Sequence, residues 1–171
     1  MIVYAMNVSA DGYVMDAEGK FDWAEPAEDV LAFWIERQRN TSLDVYGRAL
    51  YETMRYWEAP PEGSSKGDLE FADAWQKTQR IVVSTTLERA ERARLVRDPS
   101  HVPDADGIVH VGGPKLAASM IDRIQEFWTV VGPAAVGGGV PFFPAGVRLN
   151  LKLVETKRFD SGPVLLRYQR A

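Results

Sequence analysis

The sequence contains no cysteine and only two histidines, His101 and His110, among its 171 residues. The missing cysteine excludes disulfides, thiolate metal sites and a cysteine nucleophile. Two scattered histidines are too few for a histidine-based metal centre. His110 lies in an apolar stretch and is predicted to be a core or strand-end residue. We therefore expect no metal site.

Excess positive charge and long apolar runs are also missing. The formal net charge of −4 argues against a general nucleic-acid binder, because neutralising phosphates requires a basic surface. No apolar run approaches the roughly 20 residues of a membrane span. The first residues are strand-like and lack the basic segment and apolar core of a signal peptide. We expect a cytoplasmic protein whose partners include neither nucleic acid nor a membrane.

The residues that are present indicate one α/β domain over residues 1–171, with 46% hydrophobic residues as in ordinary globular proteins. Apolar, β-rich runs alternate with helical patterns, and an alternating pair of segments ends the chain. This order predicts a mostly parallel sheet with an antiparallel edge. The predicted strands are Ile2–Ser9, Ser42–Tyr46, Arg80–Ser84, Ile108–Val111, Glu126–Val131, Arg148–Glu155 and Val164–Arg170, and the alternating segment Ala93–Arg97 is a candidate edge strand. Helices are predicted from near Pro26, over Arg48–Arg55 and Leu69–Lys77, and from Pro114 to about Ile124.

Small or anion-binding residues follow three of the predicted strands, as Gly47-Arg48, Ser84-Thr85-Thr86 and Gly112-Gly113. The carboxyl ends of parallel strands lie on one edge of a sheet, where ligands bind. Glycines before a helix expose backbone N–H groups to an anion. Three such ends suit a multiply phosphorylated ligand such as a dinucleotide. Spacing alone does not separate a dinucleotide from a sugar phosphate, and a Gly-Gly turn is also often only a tight connection.

Six segments carry a resemblance to a known family, and they span nearly the whole chain. The sequence resembles the dihydrofolate reductase-like superfamily, specifically the group similar to the riboflavin-biosynthesis reductase domain. The resemblance implies a three-layer fold with helices on both faces of the sheet. The matching segments are residues 8–14 (Val-Ser-Ala-Asp-Gly-Tyr-Val), 47–52, 82–87, 111–116, 137–144 (Gly-Gly-Gly-Val-Pro-Phe-Phe-Pro) and 159–162 (Phe-Asp-Ser-Gly).

The resemblance also implies an NADPH-dependent reductase and assigns the cofactor site by motif. Gly47 and Arg48 would hold the phosphate region, and Ser84, Thr85 and Thr86 would lie at the adenosine and its 2′-phosphate. Gly112 and Gly113 would pass under the pyrophosphate, with Pro114, Lys115 and Leu116 opening the adjacent helix. The loop Asp11–Trp23 would cover nicotinamide and substrate.

Two departures from the family pattern bear on the choice between NADPH and NADH. Leu50 stands where relatives often have threonine, and no arginine directly follows Ser84. Both departures weaken the preference for NADPH. Arg89 or Lys115 is a candidate for the compensating positive charge.

Glu28 is the first candidate for a catalytic acid. It follows a Trp-x-x-Pro segment at the predicted start of a helix, where the folate reductases place a carboxylate. A carboxylate there could pair with a pterin or amino-pyrimidine ring and protonate it. An exposed acid that compensates the helix dipole is an equal alternative. Asp11 is the rival candidate, either touching substrate or serving only as a turn residue.

These observations predict a reductase that transfers hydride from NAD(P)H to a pterin-, pyrimidine- or ribosylamino-pyrimidine-like substrate. A non-catalytic dinucleotide-binding module of the same fold is one alternative, and a sugar-phosphate enzyme on a related sheet is another. We also expect a homodimer, from the resemblance and from the aromatic stretch after Gly137-Gly138-Gly139, because large aromatic residues favour interfaces.

Overall fold

A computed structural model describes all residues of the chain, 1–171. Its strands are β1 (Ile2–Val8), β2 (Tyr13–Met15), β3 (Thr41–Gly47), β4 (Gln79–Val83), β5 (Arg94–Val96), β6 (Ile108–Gly112), β7 (Glu126–Val131), β8 (Val140–Pro141), β9 (Leu151–Arg158) and β10 (Val164–Arg170). Eight of them form one sheet in the order β5-β4-β3-β6-β1-β7-β10-β9. The first six of these strands run parallel, and β10 and β9 are antiparallel neighbours at one edge. The predicted mostly parallel sheet with an antiparallel edge is confirmed.

The helices are α1 (Glu28–Arg39), α2 (Arg48–Met54), α3 (Lys66–Lys77) and α4 (Pro114–Ser119). α3 begins earlier than the predicted Leu69, because the side chains and backbone N–H groups of Ser65 and Asp68 form a reciprocal capping box. α4 ends five residues before the predicted Ile124 and is followed by a 3-10 turn over Ile121–Arg123. None of the helices has the length and apolar character needed to cross a membrane.

The helices cover both faces of the sheet, which confirms the predicted three layers. Side chains alternate along β1, so Val3 and Ala5 pack with Val30 of α1 on one face. Tyr4 lies between Val3 and Ala5 in sequence, and its side chain is on the opposite face, as is that of Val8. Both belong to the core cluster that includes Leu116 of α4. β1 therefore contributes side chains to the cores on both faces of the sheet, as does its neighbour β7 through Phe127 and Trp128.

His110 is a buried member of β6, as predicted for a core residue. Its Nδ1 lies 3.1 Å from Oδ1 of Asp44 on β3, and its Nε2 lies 3.2 Å from the Ala5 carbonyl oxygen. Asp44 is fully buried and also accepts a bond from Gln38 Nε2 at 2.8 Å. Burial, followed by the nearby Arg37 charge, lowers the pKa of His110. These contacts account for His110 as a structural residue.

A second, small sheet joins two segments that are distant in sequence. β2 pairs antiparallel with β8, and the N–H of Phe142 donates to the Gly12 carbonyl at 3.0 Å. Gly139 lies where the two segments come close together, and its φ is +132°. A side-chain carbon at Gly139 would overlap the backbone of Met15 and Asp16. The loop after β7 therefore packs against the β1–β2 turn and the residues that follow β2, and only glycine fits at position 139.

This packing predicts that Gly139→Ala destabilises the fold more than the same change at Gly137. Gly137 also has a positive φ, 75°, but a side-chain carbon there would meet nothing within 4 Å. Gly137→Ala should therefore cost only the conformational term, about 1–2 kcal/mol, and Gly139→Ala should cost more. Urea unfolding of the two variants measures the difference. Equal free energies of unfolding would mean that the close approach at Gly139 is not present in solution.

Candidate cofactor and substrate site

Three of the strand ends singled out in the sequence are neighbours in the sheet. Gly47 at the end of β3 is paired with Val83 of β4, and Tyr46 is paired with Gly112 of β6. Because all three strands run parallel, their carboxyl ends open on the same edge. A side-chain carbon at Gly47 would lie 3.6 Å from Cβ of Leu116, so the start of α4 adjoins the end of β3.

The turn after β4 is closed by the hydroxyl of Ser84. Its Oγ accepts the backbone N–H groups of Thr86 at 3.3 Å and Leu87 at 3.0 Å. Arg48 approaches this turn from α2 and donates from Nη1 to Thr86 Oγ1 at 3.1 Å. Arg48 also bonds Glu52 through Nε at 2.8 Å. The side chains of Thr85, Thr86 and Arg48 face solvent and are the groups that an incoming ligand would meet.

The Gly112-Gly113 turn joins β6 to α4 under the side chain of Leu50. A side-chain carbon at Gly112 would overlap Cδ2 of Leu50, and Gly113 has φ at +97°. The first helical bond of α4 runs from Ala117 N–H to the Gly113 carbonyl, and no side chain caps the helix. The backbone N–H groups of the first turn, including those of Lys115 and Leu116, therefore have no helical acceptor. The Lys115 side chain is exposed and Leu116 is buried.

The carboxylate of Asp11 is fully engaged in fixing a loop. It accepts a bond from Ser9 Oγ at 2.6 Å and from the backbone N–H groups of Val136 at 3.1 Å and Gly137 at 2.7 Å. The bond from Ser9, and then the bond from Gly137, lower the pKa of Asp11. Asp11 therefore ties the loop after β7 to the β1–β2 turn.

Glu28 and Asp29 begin α1 and differ in their contacts. Asp29 accepts bonds from Ser161 Oγ at 2.6 Å and Ser161 N–H at 3.0 Å, which fasten the β9–β10 turn to α1. Glu28 is exposed and makes no hydrogen bond with its side chain. Of the two acids, Glu28 is the one free to interact with a ligand.

A recess of about 200 Å³ lies on the α1 face, beside the end of β1. Asn7 lines this recess, and its Oδ1 accepts from Trp34 Nε1 at 2.9 Å while its Nδ2 donates to the Ala24 carbonyl at 3.2 Å. The buried Nε1 of Trp23 has no hydrogen-bond partner. Glu25 and Ala27 line this recess, whereas the neighbouring Glu28 does not. Sequence reasoning missed Asn7, because nothing in an apolar strand marks which polar side chain will meet a cavity.

A second recess, of about 380 Å³, lies on the opposite face at the same end of β1. Val8 lines both recesses. Its walls are mostly apolar and include Phe142 and Phe143, and its polar lining includes Ser9 and Thr129. Ser9 is already bonded to Asp11. The α1-face recess therefore offers the more varied polar groups to a heteroaromatic ring.

No protein-family model matches this chain. Among curated proteins it is similar to the uncharacterized protein YyaP of Bacillus subtilis (strain 168), with 23% identity over 178 residues, covering 98% of this chain and 93% of that protein. At this identity, the similarity extends over the full length but does not by itself assign a function.

Solved structures share the fold over the whole chain. A Shewanella sp. PV-4 protein named for riboflavin biosynthesis superposes with a TM-score of 0.74 at 19% identity, covering 99% of this chain and 98% of that one. A diaminohydroxyphosphoribosylaminopyrimidine deaminase/5-amino-6-(5-phosphoribosylamino)uracil reductase from Thermotoga maritima gives 0.71 at 15% identity, covering 100% of this chain and 56% of that one. The dihydrofolate reductase-like fold implied by the sequence resemblance is confirmed.

The Asp11 contacts predict a pH-dependent contribution to stability. Because the pKa of Asp11 is lowered by folding, its contribution is present above its unfolded pKa of about 3.9 and is lost as pH falls through the lower folded value. Asp11→Asn should therefore lower the free energy of unfolding at pH 7, with a gap from wild type that narrows below about pH 4. Urea unfolding between pH 7 and pH 3 measures this gap.

Asp106→Asn is the matched control, because Asp106 is exposed and makes no hydrogen bond. Its unfolding free energy should follow wild type at pH 7. A gap for Asp11→Asn that stays constant down to pH 3 would contradict the assigned role of the carboxylate.

Proposed function

We propose that the protein is an NADPH-dependent reductase acting on a pterin-, pyrimidine- or ribosylamino-pyrimidine-like ring. The observation that carries the proposal is the convergence of Arg48, the Ser84–Leu87 turn and the Gly112-Gly113 turn at neighbouring strand ends. The fold shared with proteins of riboflavin biosynthesis, one of which is named as a reductase, supports the same conclusion.

The donor groups at this edge fit a dinucleotide. Arg48 supplies a cation that is bonded to the Thr86 hydroxyl, and the start of α4 supplies unpaired backbone N–H groups. Phosphates favour both kinds of donor. In the proposed complex, Gly47 and Arg48 hold the phosphate region and Ser84–Thr86 hold the adenosine end. Gly112 and Gly113 pass under the pyrophosphate, with Pro114 to Leu116 beside them.

When bound, NADPH supplies the hydride. The protein then has to orient an electrophilic ring beside the nicotinamide, exclude water and deliver a proton. We place the ring in the α1-face recess, at the end of β1. There Trp23 and Glu25 line the recess, so an aromatic side chain and a carboxylate are available to a heteroaromatic ring.

We propose Glu28 as the proton donor, because its carboxylate is uncommitted and it follows Ala27 of the recess wall. Glu25, which lines the recess, is the nearest competitor. In this scheme Asp11 is a positioning residue for the loop that borders the site, since its oxygens already accept bonds from Ser9, Val136 and Gly137.

A non-catalytic dinucleotide-binding module is the second candidate. It is favoured by Leu50, which covers the Gly112-Gly113 turn with an apolar side chain, and by the absence of Glu28 from the recess lining. Binding of NADPH without its oxidation over a panel of pterins and pyrimidines would select this candidate. The homodimer stays a prediction, and exposed Phe143 and Val147 are the residues that we propose a second copy covers.

Arg48→Ala tests the cofactor assignment. Loss of a charge-assisted phosphate contact should weaken NADPH binding by about 1–3 kcal/mol, measured by titration calorimetry. Arg55→Ala is the control, because Arg55 is an equally exposed arginine that pairs with Glu58 at 3.3 Å, beyond the end of α2. An unchanged dissociation constant for Arg48→Ala, in a wild-type protein that binds NADPH, would remove Arg48 from the site.

Glu28→Gln tests the proton donor. Glutamine keeps the shape but not the acid, so NADPH affinity should be retained while turnover falls by roughly a hundredfold or more. The assay follows NADPH oxidation with whichever pterin or pyrimidine supports turnover. Asp29→Asn should instead lower stability, because Asp29 binds Ser161.

Glu25→Gln is the discriminating comparison. Normal turnover in Glu28→Gln with loss in Glu25→Gln would transfer the role to Glu25. Normal turnover in both variants would mean that the proton comes from water or from the substrate.

A further inference from the structure

β9 is the long free edge of the main sheet. The strand order places β5 at one edge and β9 at the other. β5 has three residues, whereas β9 has eight, and all of these except the first are exposed. A long exposed edge strand presents unpaired backbone N–H and C=O groups that can pair with another strand. β9 is therefore the place in this sheet where a further strand can add.

The bonds of the β9–β10 hairpin determine which backbone groups of β9 face outward. The N–H of Phe159 donates to the Pro163 carbonyl at 2.9 Å, beside the turn. Bonded and non-bonded pairs alternate along an antiparallel ladder, so the next residues of β9 that bond to β10 are Lys157 and Glu155. Thr156 lies between them, and its N–H and C=O groups point away from β10. A strand added to this edge would therefore form backbone hydrogen bonds with Thr156.

Opposite charges stand on either side of Thr156. Glu155 and Lys157 are both exposed, and because they are two residues apart, their side chains lie on the same face of the sheet. Glu155 bonds Arg167 at 2.5 Å. Lys157 makes no ion pair, and its Nζ lies 5.0 Å from the centroid of the Phe159 ring. The edge therefore carries an acid and an unpaired base arranged symmetrically about one residue.

We propose that β9 pairs antiparallel with β9 of a second copy of this chain, with the two-fold axis at Thr156. In this register Thr156 faces Thr156 of the second copy, and Glu155 faces Lys157 of the second copy, twice by symmetry. Threonine pairs and opposite-charge pairs stabilise directly opposed strand positions. The outward N–H and C=O groups of Thr156 form the central inter-chain hydrogen bonds, and the two eight-stranded sheets become one continuous sheet.

This inference rests on the homodimer of the proposed function and deepens it by naming the strand and the register that join the two copies. It depends on neither the cofactor nor the substrate, so its failure leaves the reductase proposal standing. The paired segment, residues 154–158, is short. A small interface of this kind is weak, and we expect the dimer to dissociate in the roughly micromolar range.

Protection of a free edge by charge is the competing explanation for Lys157, because lysine on an edge strand discourages pairing. The charge order around Thr156 favours pairing in one register, however. Moving the axis by one residue would place Glu155 opposite Glu155 of the second copy, or Lys157 opposite Lys157, and like charges directly opposite are destabilising. A protected edge stays monomeric in every charge combination, whereas a paired edge follows the charges.

The test is sedimentation velocity over a concentration series that spans the micromolar range. Wild type should form a dimer at the upper end of the series. Lys157→Glu places two acids opposite each other and Glu155→Lys places two bases opposite each other, so each variant alone should remain a monomer. An equimolar mixture of the two variants should regain the dimer, because every facing pair then has opposite charges. Circular dichroism checks that each variant is folded.

Thr156→Pro tests the backbone pairing separately from the charges. Its N–H points away from β10, so proline there should leave the hairpin intact and weaken the dimer by about tenfold or more. Lys152→Glu is the matched control, because Lys152 is an exposed lysine of β9 outside the paired segment. This variant should dimerise as wild type does.

A monomeric wild type would overturn both the inference and the expected homodimer. Single variants that dimerise as wild type does, or a mixture of folded variants that stays monomeric, would overturn the inference. So would a dimer that survives the changes at positions 155–157 but is lost in Val147→Asp. That result would place the second copy on the apolar surface around Phe143 and Val147 instead of at the edge.

Discussion

The parallel pairing of β3 with β4 and β6 is the constraint on which the candidate site depends. The pairing of Gly47 with Val83 and of Tyr46 with Gly112 places the carboxyl ends of β4, β3 and β6 side by side. A shift of one residue in either pairing would turn the side chains of β3 to the opposite faces and move Arg48 away from Thr86. Strand register therefore determines where the site lies, and the loops supply its chemical groups.

Carboxylates hold the loops around this edge in place. Asp11 fastens the loop after β7 to the β1–β2 turn, and Asp29 fastens the β9–β10 turn to the start of α1. Both residues bind serine hydroxyl and backbone N–H groups. In each case a short acid at the start of a turn or helix connects segments more than 100 residues apart in sequence. Of the two acidic residues that the sequence offered as catalytic candidates, Asp11 therefore holds a loop in place, and Glu28 makes no hydrogen bond with its side chain.

The sequence predicted what is determined locally. The continuous apolar, β-rich runs located the central strands to within about one residue, because a strand buried on both faces needs apolar residues in succession. β9 was misplaced by three residues, from Arg148–Glu155 to Leu151–Arg158. The alternating leucines that suggested the earlier start do not all face the core, since Leu153 is 48% exposed. The register shift in β10 between Arg167 and Tyr168 had no visible mark in the sequence.

Contacts between distant segments could not be predicted in the same way. The three strand ends were found because their residues are small or anion-binding, but Arg97 follows an ordinary short strand. Its contact with Ser84 exists only because β5 lies next to β4. Likewise, nothing in the sequence indicated that Ser161 would donate hydrogen bonds to Asp29. The fold follows from patterning, whereas the partners of individual polar groups follow from the packing of the completed sheet.

The most direct test of the account is a crystal structure of the protein grown with NADPH. The account predicts the pyrophosphate at Gly112-Gly113, the phosphate region at Gly47-Arg48 and the adenosine end at the Ser84–Leu87 turn, with the nicotinamide directed toward the end of β1. NADPH bound elsewhere on the protein would contradict it, as would crystals that remain free of nucleotide at saturating concentration with this edge open to solvent.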